Sequence, residues 1–125
     1  MLQYKTMLAT LGLLSVMVVT NTAQASCSVS PVSFSGNMVE TEGLLTIKSG
    51  TGCTISLSGI PGGISEVRIT QSPKTGRASV QNLRPRYDSK LGYQGPDEFT
   101  YTYIGTDQYG GPMRISVKRK ITVVP

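Results

Sequence analysis

Met113-Arg114-Ile115-Ser116-Val117-Lys118 alternates apolar and polar without a break, and Ile121 and Val123 resume the same parity. Strict period two over four to eight residues marks a strand with one face buried and one in water. Between the two halves lies Lys118-Arg119-Lys120. Arg119 falls on the buried parity, which predicts a bulge or a strand end there. Upstream, Phe99-Thr100-Tyr101-Thr102-Tyr103 puts three aromatic rings on one face. Val67-Arg68-Ile69-Thr70 alternates, as does Cys53-Thr54-Ile55-Ser56-Leu57-Ser58. Weaker strands are expected over 27–32, 44–48 and 78–81.

Composition supports the same class. Beyond residue 25 the chain has one alanine, Ala78, and five leucines, against eight Val, eight Ile and ten Thr. Scarce helix formers and abundant β-branched residues disfavour helix. Thirteen glycines and seven prolines in the same stretch punctuate it at short intervals, as many short strands joined by turns require. Turns are read at Ser49-Gly50-Thr51-Gly52, at hairpin distance between two strands, and at 59–63, 73–76 and Tyr109-Gly110-Gly111-Pro112. Residues 84–97 form the longest stretch without a pattern, and such loops tend to be functional or mobile. About seven strands in one domain predict an all-β sandwich of two sheets. Its expected core is Val29, Leu45, Ile47, Ile55, Leu57, Val67, Ile69, Val80, Phe99, Tyr101, Ile115, Val117, Ile121 and Val123.

The first 25 residues read as a cleaved signal peptide. Lys5 supplies a positive start, 7–19 an apolar run, and Ala23-Gln24-Ala25 a small-x-small cleavage site. The run is shorter than the ~20 residues a spanning helix needs. The mature domain is therefore 26–125, exported to the periplasm or the extracellular space, with no transmembrane helix. Ala25-Ser26 before Cys27 also fits the last positions of a lipoprotein signal, although Gln24 stands where an aliphatic residue belongs. That alternative anchors Cys27 to a membrane and leaves Cys53 unpaired. The export reading pairs Cys27 with Cys53. Closing that ring of about 27 residues is worth about 3.5 kcal/mol on chain entropy.

Residues 92–101, Gly92-Tyr93-Gln94-Gly95-Pro96-Asp97-Glu98-Phe99-Thr100-Tyr101, resemble a signature of bacterial immunoglobulin-like and cadherin-like repeats. There a glycine–aromatic–glycine–aspartate run precedes the penultimate strand. Asp107 followed by Gly110, the final Ile121-Thr122-Val123, and the strand–turn–strand pattern from Ile69 to Val80 extend the likeness over 67–124. The resemblance implies an immunoglobulin-like sandwich and a role in adhesion. It does not carry calcium over, because the acidic inter-domain linkers are missing. Without the family, the same motif reads physically: Gly92 and Gly95 admit positive φ, and Asp97 accepts hydrogen bonds from turn amides.

The chemistry is sparse. The chain contains no histidine, which removes the usual Ser-His and Cys-His pairs and imidazole metal sites. Asp97 and Glu98 are adjacent, so on a strand they face opposite ways and form no dyad. Acids over 88–107 do not follow a calcium-loop spacing. No catalytic residue, cofactor or metal site is expected, and the protein is read as a non-enzyme. Past residue 25, 11 basic and 7 acidic residues leave a net charge of +4, which suits weak attraction to acidic surfaces. No basic run interleaved with aromatics points to nucleic acid.

Tyr and Arg are enriched at binding hot spots. The candidate contact surface is therefore Arg84, Arg86 and Tyr87 in one presumed loop, the loop tyrosines Tyr93 and Tyr109, and Arg114, Lys118 and Lys120 on the wet face of the last strand. On the bland reading, those charges guard an edge strand against unwanted pairing. The leading function is a small binding module that engages a protein or an anionic surface polymer through loops. The alternative is a structural subunit that joins an envelope or surface assembly by strand addition.

Overall fold

A computed structural model describes residues 27–56 and 59–125. The expected signal peptide, 1–25, and the expected core residue Leu57 lie outside them. The described residues form eight strands and no helix: β1 (Cys27–Val29), β2 (Met38–Lys48), β3 (Gly52–Thr54), β4 (Gly62–Gln71), β5 (Arg77–Gln81), β6 (Arg84–Asp88), β7 (Gly95–Asp107) and β8 (Pro112–Val124). They build two sheets, β1-β2-β8-β7-β4 and β3-β6-β5. All neighbours are antiparallel except β2 and β8, which run parallel from Met38↔Arg114 to Lys48↔Val124. The β3-β6-β5 and β4-β7-β8 groupings follow the strand order of an immunoglobulin-type sandwich.

The core lies where alternation puts it. Met113, Ile115, Val117, Ile121 and Val123 are buried on β8, facing Leu45 and Ile47 of β2 and Phe99, Tyr101 and Tyr103 of β7. Each such side chain contributes roughly 1.5–3 kcal/mol when fully buried. Four ring systems run in a row through the centre: Tyr87–Phe99 at 5.7 Å, Phe99–Tyr101 at 5.5 Å and Tyr101–Tyr103 at 5.4 Å between centroids. Val29, Ile69 and Val80, expected inside, are only partly buried and flank the core. Cys53, Tyr87, Tyr103 and Met113 join it.

Several expectations are corrected. Residues 49–52 do not close a hairpin, because β2 and β3 belong to different sheets. The segment 84–97 is not one long loop: Arg84–Asp88 is β6, the middle strand of the smaller sheet, and β7 begins at Gly95. No bulge or strand end falls at Arg119, since β7 and β8 pair in unbroken register through Phe99↔Arg119. Nor is β8 an edge strand. It lies between β2 and β7, so its charges guard no edge.

The disulfide joins Cys27 of β1 to Cys53 of β3, with Cα atoms 5.9 Å apart. It therefore staples one sheet to the other. Asp97 has a similar long-range task. Its carboxylate accepts hydrogen bonds from the amides of Lys74 (3.0 Å), Thr75 (3.3 Å) and Gly76 (2.9 Å), from its neighbour Glu98 (3.0 Å), and from the Tyr87 hydroxyl (2.6 Å). The aspartate does cap a turn, but the turn is 73–76, some twenty residues upstream. Gly92 and Gly95 both take positive φ.

Candidate functional site

The eight residues of the expected contact surface do not converge. Tyr87 points into the core with 0% of its surface exposed. Arg86, on the opposite face of β6, pairs with Asp88 at 2.9 Å and donates to the Thr54 hydroxyl at 3.2 Å. Arg84 is exposed at the start of β6. Tyr93 and Tyr109 stand beyond opposite ends of β7. Tyr93 packs against the core and donates to the Pro96 carbonyl, while Tyr109 is 87% exposed. Arg114, Lys118 and Lys120 lie on the outer face of β8. Lys118 pairs with Glu98 at 3.5 Å, and Glu40 and Glu42 occupy the facing positions of β2 opposite Ser116 and Lys118. That face carries both signs of charge. Of the acids over 88–107, Asp88 is paired with Arg86 and Asp97 holds the 73–76 turn. Asp107 accepts from the amides of Tyr109 and Gly111 and from Asn37.

A different residue defines a site. Arg119 sits on the inner face of β8 and is 3% exposed. Burying a guanidinium is expensive unless its donors are satisfied. Three oxygen groups do part of this. Nε donates to the Tyr101 hydroxyl at 3.0 Å, and Nη1 donates to the carbonyls of Ser30 at 2.8 Å and Leu44 at 3.2 Å. A longer contact reaches the Ser30 hydroxyl. No carboxylate is among these partners, and Nη2 has none among the described residues.

The room for this side chain comes from Gly43, its partner in the β2–β8 register. A Cβ at Gly43 would collide with Arg119 Nη1 and lie 2.7 Å from Val32. The glycine in the middle of β2 thus marks a close approach rather than a break.

Arg119 lines a cavity of about 320 Å³ between the two sheets. Tyr101 and Tyr103 share that wall. Val29 at the end of β1, Val32 and Phe34 after it, and Ile55, just past β3, supply apolar surface. Burial raises the pKa of the Tyr101 hydroxyl, partly offset by the Arg119 charge and hydrogen bond. Burial and the neighbouring Tyr101 push Tyr103 well above the ordinary tyrosine range. Both phenols remain protonated, and among the described residues of the pocket wall the guanidinium is the one formal charge. Arginine is suited to planar oxyanions because its donors match them in geometry and its charge is permanent. The arrangement therefore sets a guanidinium beside two phenols in the wall of a cleft that also presents apolar side chains.

The sequence carried one sign of this site: a lone arginine on the buried parity of the strongest strand. Nothing local identified its neighbours, because Ser30 and Leu44 reach it only through β1–β2–β8 pairing. No family model matches the chain, and no curated protein matches it.

Proposed function

We propose that this domain is an exported, non-catalytic binding module, and that its ligand carries a carboxylate on an apolar body held in the cleft between the sheets. The observation that carries the reading is Arg119: a buried cation without an acid partner, opening on a cavity. The inter-sheet disulfide suits an oxidising compartment, and none of the described residues forms a helix long and apolar enough to cross a membrane. A protein or polymer bearing free carboxylates satisfies the same chemistry.

The test uses hexanoate, followed by amide and side-chain NMR on the oxidised protein. Saturable shifts centred on Arg119, Tyr101 and Tyr103 are expected. Arg119→Gln should weaken binding at least tenfold. Val32→Trp narrows the cleft, leaves the guanidinium in place, and should give a comparable loss. Shifts scattered over surface lysines, or equal binding by Val32→Trp, would remove the reading.

A further inference from the structure

We infer that two copies of this chain associate edge to edge through β4, antiparallel about a two-fold axis at Val67. Among the described residues β4 ends the larger sheet, with β7 as its one neighbour. Register shifts between Ile64 and Glu66 and between Ile69 and Gln71 interrupt the strand on either side, and bulges of this kind protect an edge from pairing. Between them, 66–69 runs regularly against 101–104. Glu66 and Arg68 lie two residues apart on the outer face, half-exposed and paired with each other at 2.6 Å. Val67, between them, is buried on the inner face. An edge guarded by charge carries one sign, so that two copies repel. Here the order acid, apolar, base does the reverse. Antiparallel pairing about Val67 sets Glu66 of each copy opposite Arg68 of the other. Both cross-strand pairs are favourable, and the patch is self-complementary, as a two-fold interface requires. A two-fold axis at Glu66 or at Arg68 sets like charges face to face, so the sequence selects one register.

An apolar seam lies beneath those charges. β5 ends the smaller sheet on the same side: β4 packs on β5, while β1 and β3, at the other ends of the two sheets, are joined by the disulfide. Ile64 and Ile69 of β4 and Ala78 and Val80 of β5 are only partly buried there. Along one row of the larger sheet, Val117 and Tyr101 are covered and Ile69, their next neighbour, is not fully so. A second copy beside β4 covers that open side, which is why Ile69 and Val80 read as core in the sequence and fall short of it in one copy. The regular stretch is short, so the contact is weak and depends on concentration. None of the described residues lining the Arg119 cleft belongs to β4 or β5. The two surfaces therefore stand or fall separately.

The experiment is sedimentation equilibrium of the oxidised protein up to about 1 mM, where a weak contact still registers. A reversible equilibrium between monomer and dimer is expected. Glu66→Arg sets guanidinium groups face to face, and Arg68→Glu does the same with carboxylates. Each change alone should weaken dimerisation by about tenfold or more. Glu66→Arg combined with Arg68→Glu restores opposite signs, and dimerisation should return to within about threefold of the parent. Hydrogen exchange over 65–69 should slow as the concentration rises. A protein that stays monomeric throughout overturns the inference. So do single reversals that dimerise like the parent, or a double reversal as weak as the singles. A dimer whose exchange over 65–69 ignores concentration has its contact elsewhere and overturns it too.

Discussion

Gly43 and Arg119 form one unit, and a single methyl group separates them from conflict. Gly43→Ala removes a little unfolded-state freedom, worth under about 1 kcal/mol. It forces the guanidinium or Val32 aside, and overpacking of that kind typically costs about 1–3 kcal/mol. A net fall in the urea midpoint is expected, together with weakened hexanoate binding. Asp97 gives the second residue-scale expectation. Burial alone would raise its pKa. Hydrogen bonds from the Tyr87 hydroxyl and from the amides of Gly76, Lys74 and Glu98 outweigh that and hold it below the ordinary 3.8. A carboxyl depressed in the fold contributes stability above its unfolded pKa and loses it as pH falls through the folded one. Asp97→Asn should therefore cost roughly 1.5–3 kcal/mol near neutrality, the worth of charge-assisted bonds. The gap to the parent should close as the pH is lowered from about 4 towards 2 in thermal melts. At this scale the sequence was half legible. The parity of Arg119 and the capping of a turn by Asp97 could be read from local pattern. Their partners could not, because Ser30, Leu44 and the 73–76 turn reach them only through tertiary pairing.

The β5–β6 hairpin shows why one strand was hidden. Its loop is two residues, Asn82 and Leu83, both at positive φ (51° and 62°), between the paired Gln81 and Arg84. Two such residues make a type I′ turn, which ordinarily announces itself as Asn-Gly. A leucine there gives no signal, and Pro85 two positions later reads as a strand breaker. Pro85 is tolerated where pairing is already ending. Its carbonyl accepts from Ile55, it has no N–H to return, and β3 stops at Thr54. Replacing Leu83 with glycine removes a left-handed strain of roughly 1–2 kcal/mol per residue, against glycine's greater unfolded freedom of roughly 0.5–1. Leu83→Gly is expected to stabilise the domain by about 0.5–1 kcal/mol in chemical denaturation. Strands with strict alternation, β7 and β8 above all, were legible. The first half of β2 was not, because Gly43 and the inward Thr41 interrupt its apolar face for reasons that lie on β8.

For the molecule as a whole, the sandwich class followed from composition and period, while the pairing of strands did not. Alternation says which face of a strand is inward and is silent about its neighbour. A parallel β2–β8 ladder between early and late segments leaves no local mark. The disulfide was legible from cysteine count, and its place between the sheets gives it leverage. Reducing it should lower stability by about 3.5 kcal/mol on the chain-entropy estimate, measured as a drop in melting temperature on adding reductant. The parallel ladder has a further outcome for how the chain reaches its native form. Because β8 separates β2 from β7, the larger sheet is, before residue 112, only two pairs of strands, β1-β2 and β4-β7, with no ladder between them. Closure waits for the last dozen residues, and contacts so distant along the chain form slowly. The larger sheet therefore closes last, an order that suits the export proposed for this domain.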